Sequence, residues 1–157
     1  MEIMSDKSSL SAGELIRATL LEDAEICATT TRIFPVRAKE TTLPYILYRR
    51  AELETLPQKS GKPGSEKLQM ELNCCSQGYE EGLKLAEAVR SALDFVSTEH
   101  DGLQMRVCYL SNACEEYEGE IFMQKLIFTI NNSSLKIEYR LSGICRQAKE
   151  IFDKFSI

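Results

Sequence analysis

Leu68, Met70, Leu72 and Cys74 alternate with Lys67, Gln69, Glu71 and Asn73, the clearest two-residue period in the chain. Successive side chains of a strand point to opposite faces, so this period predicts a strand with one buried face and one wet or paired face. Leu103, Met105, Val107 and Tyr109 alternate in the same way, and Phe122, Leu126, Phe128 and Ile130 fall on one face of a strand over 121–130. Pro44 opens a run rich in β-formers over 45–50. Leu135, Ile137, Tyr139 and Leu141 predict a further strand.

Three segments carry a helical period instead. Over 11–27, Leu15, Ile16, Leu20 and Ala24 make an apolar stripe, with Ser11 as N-cap, Glu14 completing a capping box, and Leu10 and Leu15 as a staple. Over 77–96 the stripe is Leu83, Ala86, Val89, Ala92, Leu93 and Val96, with Ser76 as cap and Glu80 and Glu81 in the first turn. Over 142–155, Ile144, Ala148, Ile151, Phe152 and Phe155 align along one side.

Between these lie the connections. Residues 32–36 are extended, and Pro35 keeps them out of a central strand. Residues 54–66 hold Pro57, Gly61, Pro63 and Gly64 and predict a long, mobile hairpin connection. His100-Asp101-Gly102 reads as a turn, residues 114–119 as an acidic connection, and residues 131–134 as another turn. The whole predicts an α+β fold: a largely antiparallel β-sheet with helices packed on one face, plus a C-terminal extension. A domain over 1–131 is expected, with the extension at 132–157. Leu68, Met70, Leu72, Val89, Leu93, Val107 and Phe128 are the expected core.

The chain's 157 residues suffice for one domain. Nineteen Lys and Arg against 24 Asp and Glu leave a net charge of −5. That balance argues against gripping nucleic acid through a broad basic face, since phosphate affinity comes from cations. No stretch approaches the roughly 18–20 apolar residues of a membrane helix. The start has no apolar core of a signal peptide, so Cys27, Cys74, Cys75, Cys108, Cys114 and Cys145 are expected as six free thiols in a reducing cytoplasm.

Candidate chemistry is sparse. His100 beside Asp101 has the composition of a base with its orienting carboxylate, but also of a solvated turn, and no nucleophile has its own context. Cys74 and Cys75 are neighbours on a strand and point to opposite faces, so they do not readily chelate one metal. Gly61-Lys62-Pro63-Gly64-Ser65 lacks the residue order of a phosphate loop. Glu115, Glu116, Glu118 and Glu120 lack calcium-loop spacing. No catalytic residue, metal or cofactor is expected.

Five places in order carry a resemblance. Arg32-Ile33-Phe34-Pro35 follows the first helix. Leu43-Pro44-Tyr45-Ile46-Leu47-Tyr48 enters a strand. Leu68-Gln69-Met70-Glu71-Leu72 precedes the second helix, which contains Ala86-Glu87-Ala88-Val89-Arg90-Ser91-Ala92-Leu93. Glu116-Tyr117-Glu118 precedes the last strand. From about residue 15 to 130 the chain resembles the tail-completion (tail-terminator or head–tail joining) proteins of long-tailed bacteriophages and prophages, and residues 132–157 extend beyond that pattern. The resemblance implies a structural virion protein forming a ring, usually six-fold, at the head-proximal end of the tail tube. Such a ring stops tube polymerisation and joins tail to head. Its implied partners are other copies of itself, the tail-tube protein and a head-connector or neck protein. DNA passes through the lumen without specific binding, and no membrane is involved. Partner contacts are expected at the loop bearing Lys59, Gly61, Lys62 and Gly64 and at the apolar face formed by Ile144, Ala148, Ile151, Phe152 and Phe155. The alternatives are a thiol-dependent redox enzyme using Cys74, Cys75 or His100, and a different neck or head-completion component.

Overall fold

The computed structural model describes residues 8–39, 42–56, 66–100, 103–105 and 108–131. The expected strand at 135–141, the helix at 142–155, the loop residues Lys59, Gly61, Lys62 and Gly64, Val107 and Cys145 all lie outside them.

Four strands of eleven residues form two hairpins: β2 (Tyr45–Thr55) with β3 (Glu66–Ser76), and β6 (Cys108–Glu118) with β7 (Ile121–Asn131). They pair antiparallel in the order β2-β3-β7-β6, and the short β1 (Ile33–Pro35) joins the edge parallel to β2. Pro35 thus stands on an edge strand, where its missing N–H costs no ladder bond. The alternation read in β3 puts Leu68, Met70, Leu72 and Cys74 in the core, together with Leu126, Phe128 and Ile130 of β7. Leu68, Met70, Leu72, Val89, Leu93 and Phe128, six of the seven expected core residues, are buried.

The helices cover that face. Helix α1 is Ala12–Leu21, α2 is Ala24–Thr29 and α3 is Tyr79–Leu93. The single helix expected over 11–27 is broken because Asp23 turns extended and its carboxylate caps α2, accepting from Ile26 N at 3.0 Å. Ser11 holds the N-cap position of α1 without a side-chain bond, and Leu10 of the expected staple stands 60% exposed. A 3₁₀ turn at Ser9–Ser11, capped by Ser8, makes the entry instead.

The stripe of α3 keeps Ala86, Val89 and Leu93 of the expected one, with Leu85 in place of Leu83. Gly82, Leu85, Ala86, Val89 and Leu93 face inward, while Leu83 is exposed. Ser76 does not cap α3. It stays in β3, paired with Phe122, and its hydroxyl donates to Gly78 O at 2.7 Å. A Cβ at residue 82 would lie 2.4 Å from that hydroxyl oxygen, so with Ser76 in this position a side chain there would force the serine or the helix to shift.

The strand expected over 103–109 is two elements. Thr98–His100 (β4) pairs with Leu103–Met105 (β5) in a small separate sheet packed on α1, and β6 begins at Cys108. The expected acidic connection over 114–119 is the second half of β6 and the start of its turn, paired with Ile121–Lys125. A bulge between Leu110 and Asn112 shifts the phase of β6, and residues 111–120 are all exposed. Nothing buries one side of that strand, so no alternation marks it. The turn has positive φ at both Gly119 and Glu120, as a type I′ hairpin turn requires.

No helix among the described residues lies on the opposite sheet face. At its centre Arg49 grips Glu71 with two bonds, of 2.6 Å and 3.1 Å, and Asn73 Nδ2 donates to Glu71 Oε2 at 3.2 Å. Glu71 is buried while Arg49 is half-exposed. The Arg49 hydrogen bond holds the Glu71 carboxyl below the ordinary carboxylate range, against the opposing effect of burial.

Two outcomes follow. Gly82→Ala is expected to cost about 1–3 kcal/mol, read by urea denaturation. Adding Ser76→Ala removes the colliding oxygen, so the double variant is expected to lose less than the sum of the two singles; strict additivity would refute the close contact. Glu71→Gln is expected to cost about 1–3 kcal/mol at neutral pH. Because the folded carboxyl titrates below its unfolded value, its stabilisation is full above the unfolded pKa and is lost as pH falls through the folded one. The acid limb of a stability–pH curve should therefore be shallower in the variant.

Candidate assembly surfaces

The described residues gather no group of three or more His, Cys, Asp or Glu that could hold a metal ion. No helix among them is long and apolar enough to cross a membrane. His100 ends β4 and is exposed, while Asp101 lies outside the described residues.

The thiols are placed for packing. Cys74 and Cys108 are fully buried under the helices, and burial drives both upward, Cys108 to about 12. Cys75 points to the other sheet face and is also pushed up by burial. None of these three is a thiolate at neutral pH, so none has the nucleophile that thiol redox chemistry requires. Cys27 is half-buried and Cys114 is exposed.

The structure concentrates unusual surface in two places. The first is the free end of the β6–β7 hairpin. Tyr117 and Phe122 are cross-strand partners with ring centroids 4.6 Å apart, and Tyr79 at the start of α3 meets Phe122 edge-on at 5.9 Å. Glu115 Oε2 accepts from Tyr79 OH at 2.8 Å and from Gln124 Nε2 at 2.9 Å. The Gln124 and Tyr79 bonds hold the Glu115 carboxyl below its ordinary range. Glu116 takes Lys125 Nζ at 3.3 Å on the other face. Tyr117 remains 60% exposed, and Glu118 and Glu120 flank the turn.

The second is a hollow of about 520 Å³ where the start of α1 faces the end of β1 and the middle of β2. Tyr48 and Met70 form its floor and Leu10 and Val36 its exposed apolar rim, while Arg50 and Glu14 stand at its wall and the Arg49 guanidinium is held by Glu71 on the opposite sheet face. Arg50 Nη1 donates to Leu10 O at 3.1 Å. Val36 is 68% exposed and sits at φ +66°, an uncommon conformation for a β-branched residue.

Sequence reasoning flagged the glutamates of the first surface but placed them in a connection, and it missed the second altogether. The hollow joins residues from 10 to 70, so no local pattern announces it. The candidate contacts read from the sequence, the loop around Lys59–Gly64 and the face around Phe152, lie outside the described residues.

No curated protein matches the chain. Twenty chains of solved structures do. One of them belongs to the "Virion of native gene transfer agent (GTA) particle", with a TM-score of 0.67 and 13% identity over 80% of this chain and 98% of that one. At that identity the likeness is one of fold. The family model described as "Tail completion protein gp17" matches residues 14–129, from within α1 to near the end of β7. That span is well over half of the sequence, and on it the chain belongs to the phage tail-completion family, whose members are structural, non-enzymatic parts of the virion tail.

Proposed function

We propose that this protein caps the head-proximal end of the tail tube as a ring, ends tube polymerisation there and joins the tail to the head. The observation that carries the reading is the family match over residues 14–129. The likeness to a gene transfer agent virion chain supports a place in a phage-like particle. A role made of surfaces also suits a chain whose buried thiols are protonated and inert. The ring is six-fold in this reading, touches the tail-tube protein on one side and a connector or neck protein on the other, and assembles in the host cytoplasm. DNA passes through its lumen. A net charge of −5 suits a channel that must not hold DNA, since like charge suppresses sticking.

Residues 1–131 are the ring-forming domain in this reading and 132–157 an extension that docks on its own sheet or on a neighbour. The loop with Lys59, Gly61, Lys62 and Gly64 reaches the adjoining subunit or the tube.

The test is a phage or prophage lacking this gene, with tails measured by electron microscopy. Over-long tails, or tails unattached to filled heads, are expected, with rescue by the intact gene. Normal, joined tails in its absence would end the reading. Deletion of 58–65 should leave the melting temperature of the purified protein unchanged and impair rescue. Phe152→Asp separates two places for the extension. A lower melting temperature means packing on its own domain, and unchanged melting with lost assembly means a partner surface. If neither changes, that helix face has no docking role.

A further inference from the structure

The free end of the β6–β7 hairpin holds a small recess of about 180 Å³, lined by Tyr79, Glu115, Glu116, Tyr117, Phe122 and Gln124. Small-molecule sites run to about 300–1,000 Å³, so this one has room for the head of a single side chain rather than for a metabolite or cofactor. Its chemistry is that of three rings around one carboxylate. The ring centroids of Tyr117 and Phe122 are 4.6 Å apart, and those of Tyr79 and Phe122 5.9 Å. A cation seated among them falls within the roughly 6 Å over which an aromatic ring attracts it. Packing of the hairpin on α3 does not use these rings up, since Tyr79 stays 41% exposed and Tyr117 60%.

Glu115 supplies the anion. Tyr79 OH and Gln124 Nε2 both donate to its Oε2, and its Oε1 accepts no bond among the described residues. The same two bonds lower its pKa and keep it ionised at neutral pH. The chain brings no cation of its own to this place among the described residues. No Lys or Arg occurs between residues 108 and 124. Lys125 turns to the opposite sheet face and pairs there with Glu116. Lys84 follows Tyr79 by five residues, roughly 140° round α3. Glu80 and Glu81 in the first turn offset the positive end of that helix.

We propose that this recess receives an arginine side chain of a partner protein in the tail, its guanidinium stacked on Tyr117 and Phe122 and bonded to Glu115 Oε1. Arginine suits it better than lysine. A planar, weakly hydrated guanidinium stacks on a ring and meets a carboxylate together, whereas an ammonium is compact and strongly hydrated. The receiving groups are already fixed, Glu115 by Tyr79 and Gln124 and the rings by cross-strand pairing above a type I′ turn. Little order is therefore lost on binding. The inference goes beyond the ring reading and needs no closed ring; it uses only the family's place in the virion tail.

Nuclear magnetic resonance of the purified full chain, titrated with N-acetyl-arginine methylamide, tests this. Saturable shifts of the Tyr79, Tyr117 and Phe122 ring resonances are expected, with a dissociation constant on the order of millimolar for so small a probe. The uncharged citrulline analogue should give no saturable shift, and the lysine analogue should bind more weakly. Tyr117→Leu and Glu115→Gln are each expected to weaken binding about two- to fivefold, with melting temperatures near that of wild type. No saturable shift, a citrulline or lysine analogue that binds as tightly as arginine, or variants that bind like wild type would overturn the proposal. The double variant is also expected to rescue the deletion phage poorly. Full rescue means that no partner arginine sits there, and the proposal falls while the ring reading stands. Normal tails without the gene end the ring reading, and the titration then decides the recess on its own.

Discussion

Helix α3 has one seat on the sheet, and that seat organises the edge strand β6. Gly82 lies against the Ser76 hydroxyl, close enough that a Cβ there would meet it at 2.4 Å, and the absent side chain lets the helix sit against β3 at this point. With that contact made, both ends of α3 reach β6. At the N-terminal end Tyr79 donates to Glu115. At the C-terminal end Asp94 Oδ1 accepts from Leu110 N at 2.9 Å, and Phe95 N donates to Cys108 O at 2.7 Å. The upper part of an exposed edge is thereby paired off by loop and helix-end groups, one of the ways sheets avoid unwanted edge pairing. The lower part, past the bulge, stays open and carries the acids.

Among the described residues the helices cover one face only, and this has a second consequence. The other face needs its own solution for a sheet centre too crowded to be fully wet. Arg49 and Glu71 supply it, with Asn73 alongside. A buried carboxylate without its cation would be costly, whereas the paired arrangement leaves the guanidinium half in water. Apolar, aromatic and charged surface is thus distributed unevenly over a small subunit. A protein that acts by contact needs this, and an enzyme would instead gather such groups in one cleft.

How much of this was legible in the sequence depended on burial. Strands β3 and β7 were readable because one face of each is sealed under helices, which forces apolar residues to every second position. The first half of β6 was read only as part of a longer strand, and its second half as a connection. With both sides exposed and a bulge near Ser111, nothing compels an alternation there. The helix break at Asp23 was visible only as a capping residue inside an otherwise continuous stripe. In α3 the inward line through Ala86, Val89 and Leu93 was readable, and only its first turn was misassigned, to Leu83 instead of Gly82 and Leu85, because Gly82 carries no hydropathy signal. The family resemblance survived these local errors, since it rested on the order of segments rather than on the phase of any one. The hollow was beyond reach, because α1, β1 and β2 meet there only through the tertiary fold.

That last difference bears on why assembly surfaces are hard to read. A catalytic cluster restricts residue types, whereas a docking surface restricts shape and the sum of charge, which many residues satisfy. What the fold adds is stiffness. The β6–β7 tip is short, its turn has two residues at positive φ, and an aromatic pair locks its strands together. A projection of the same composition on a loose loop would lose much of its binding energy to ordering. The same four glutamates mean little as a composition. They become a surface because α3 is seated closely enough for Tyr79 to hold Glu115, which leaves Tyr117, Glu118 and Glu120 facing outward from a fixed base.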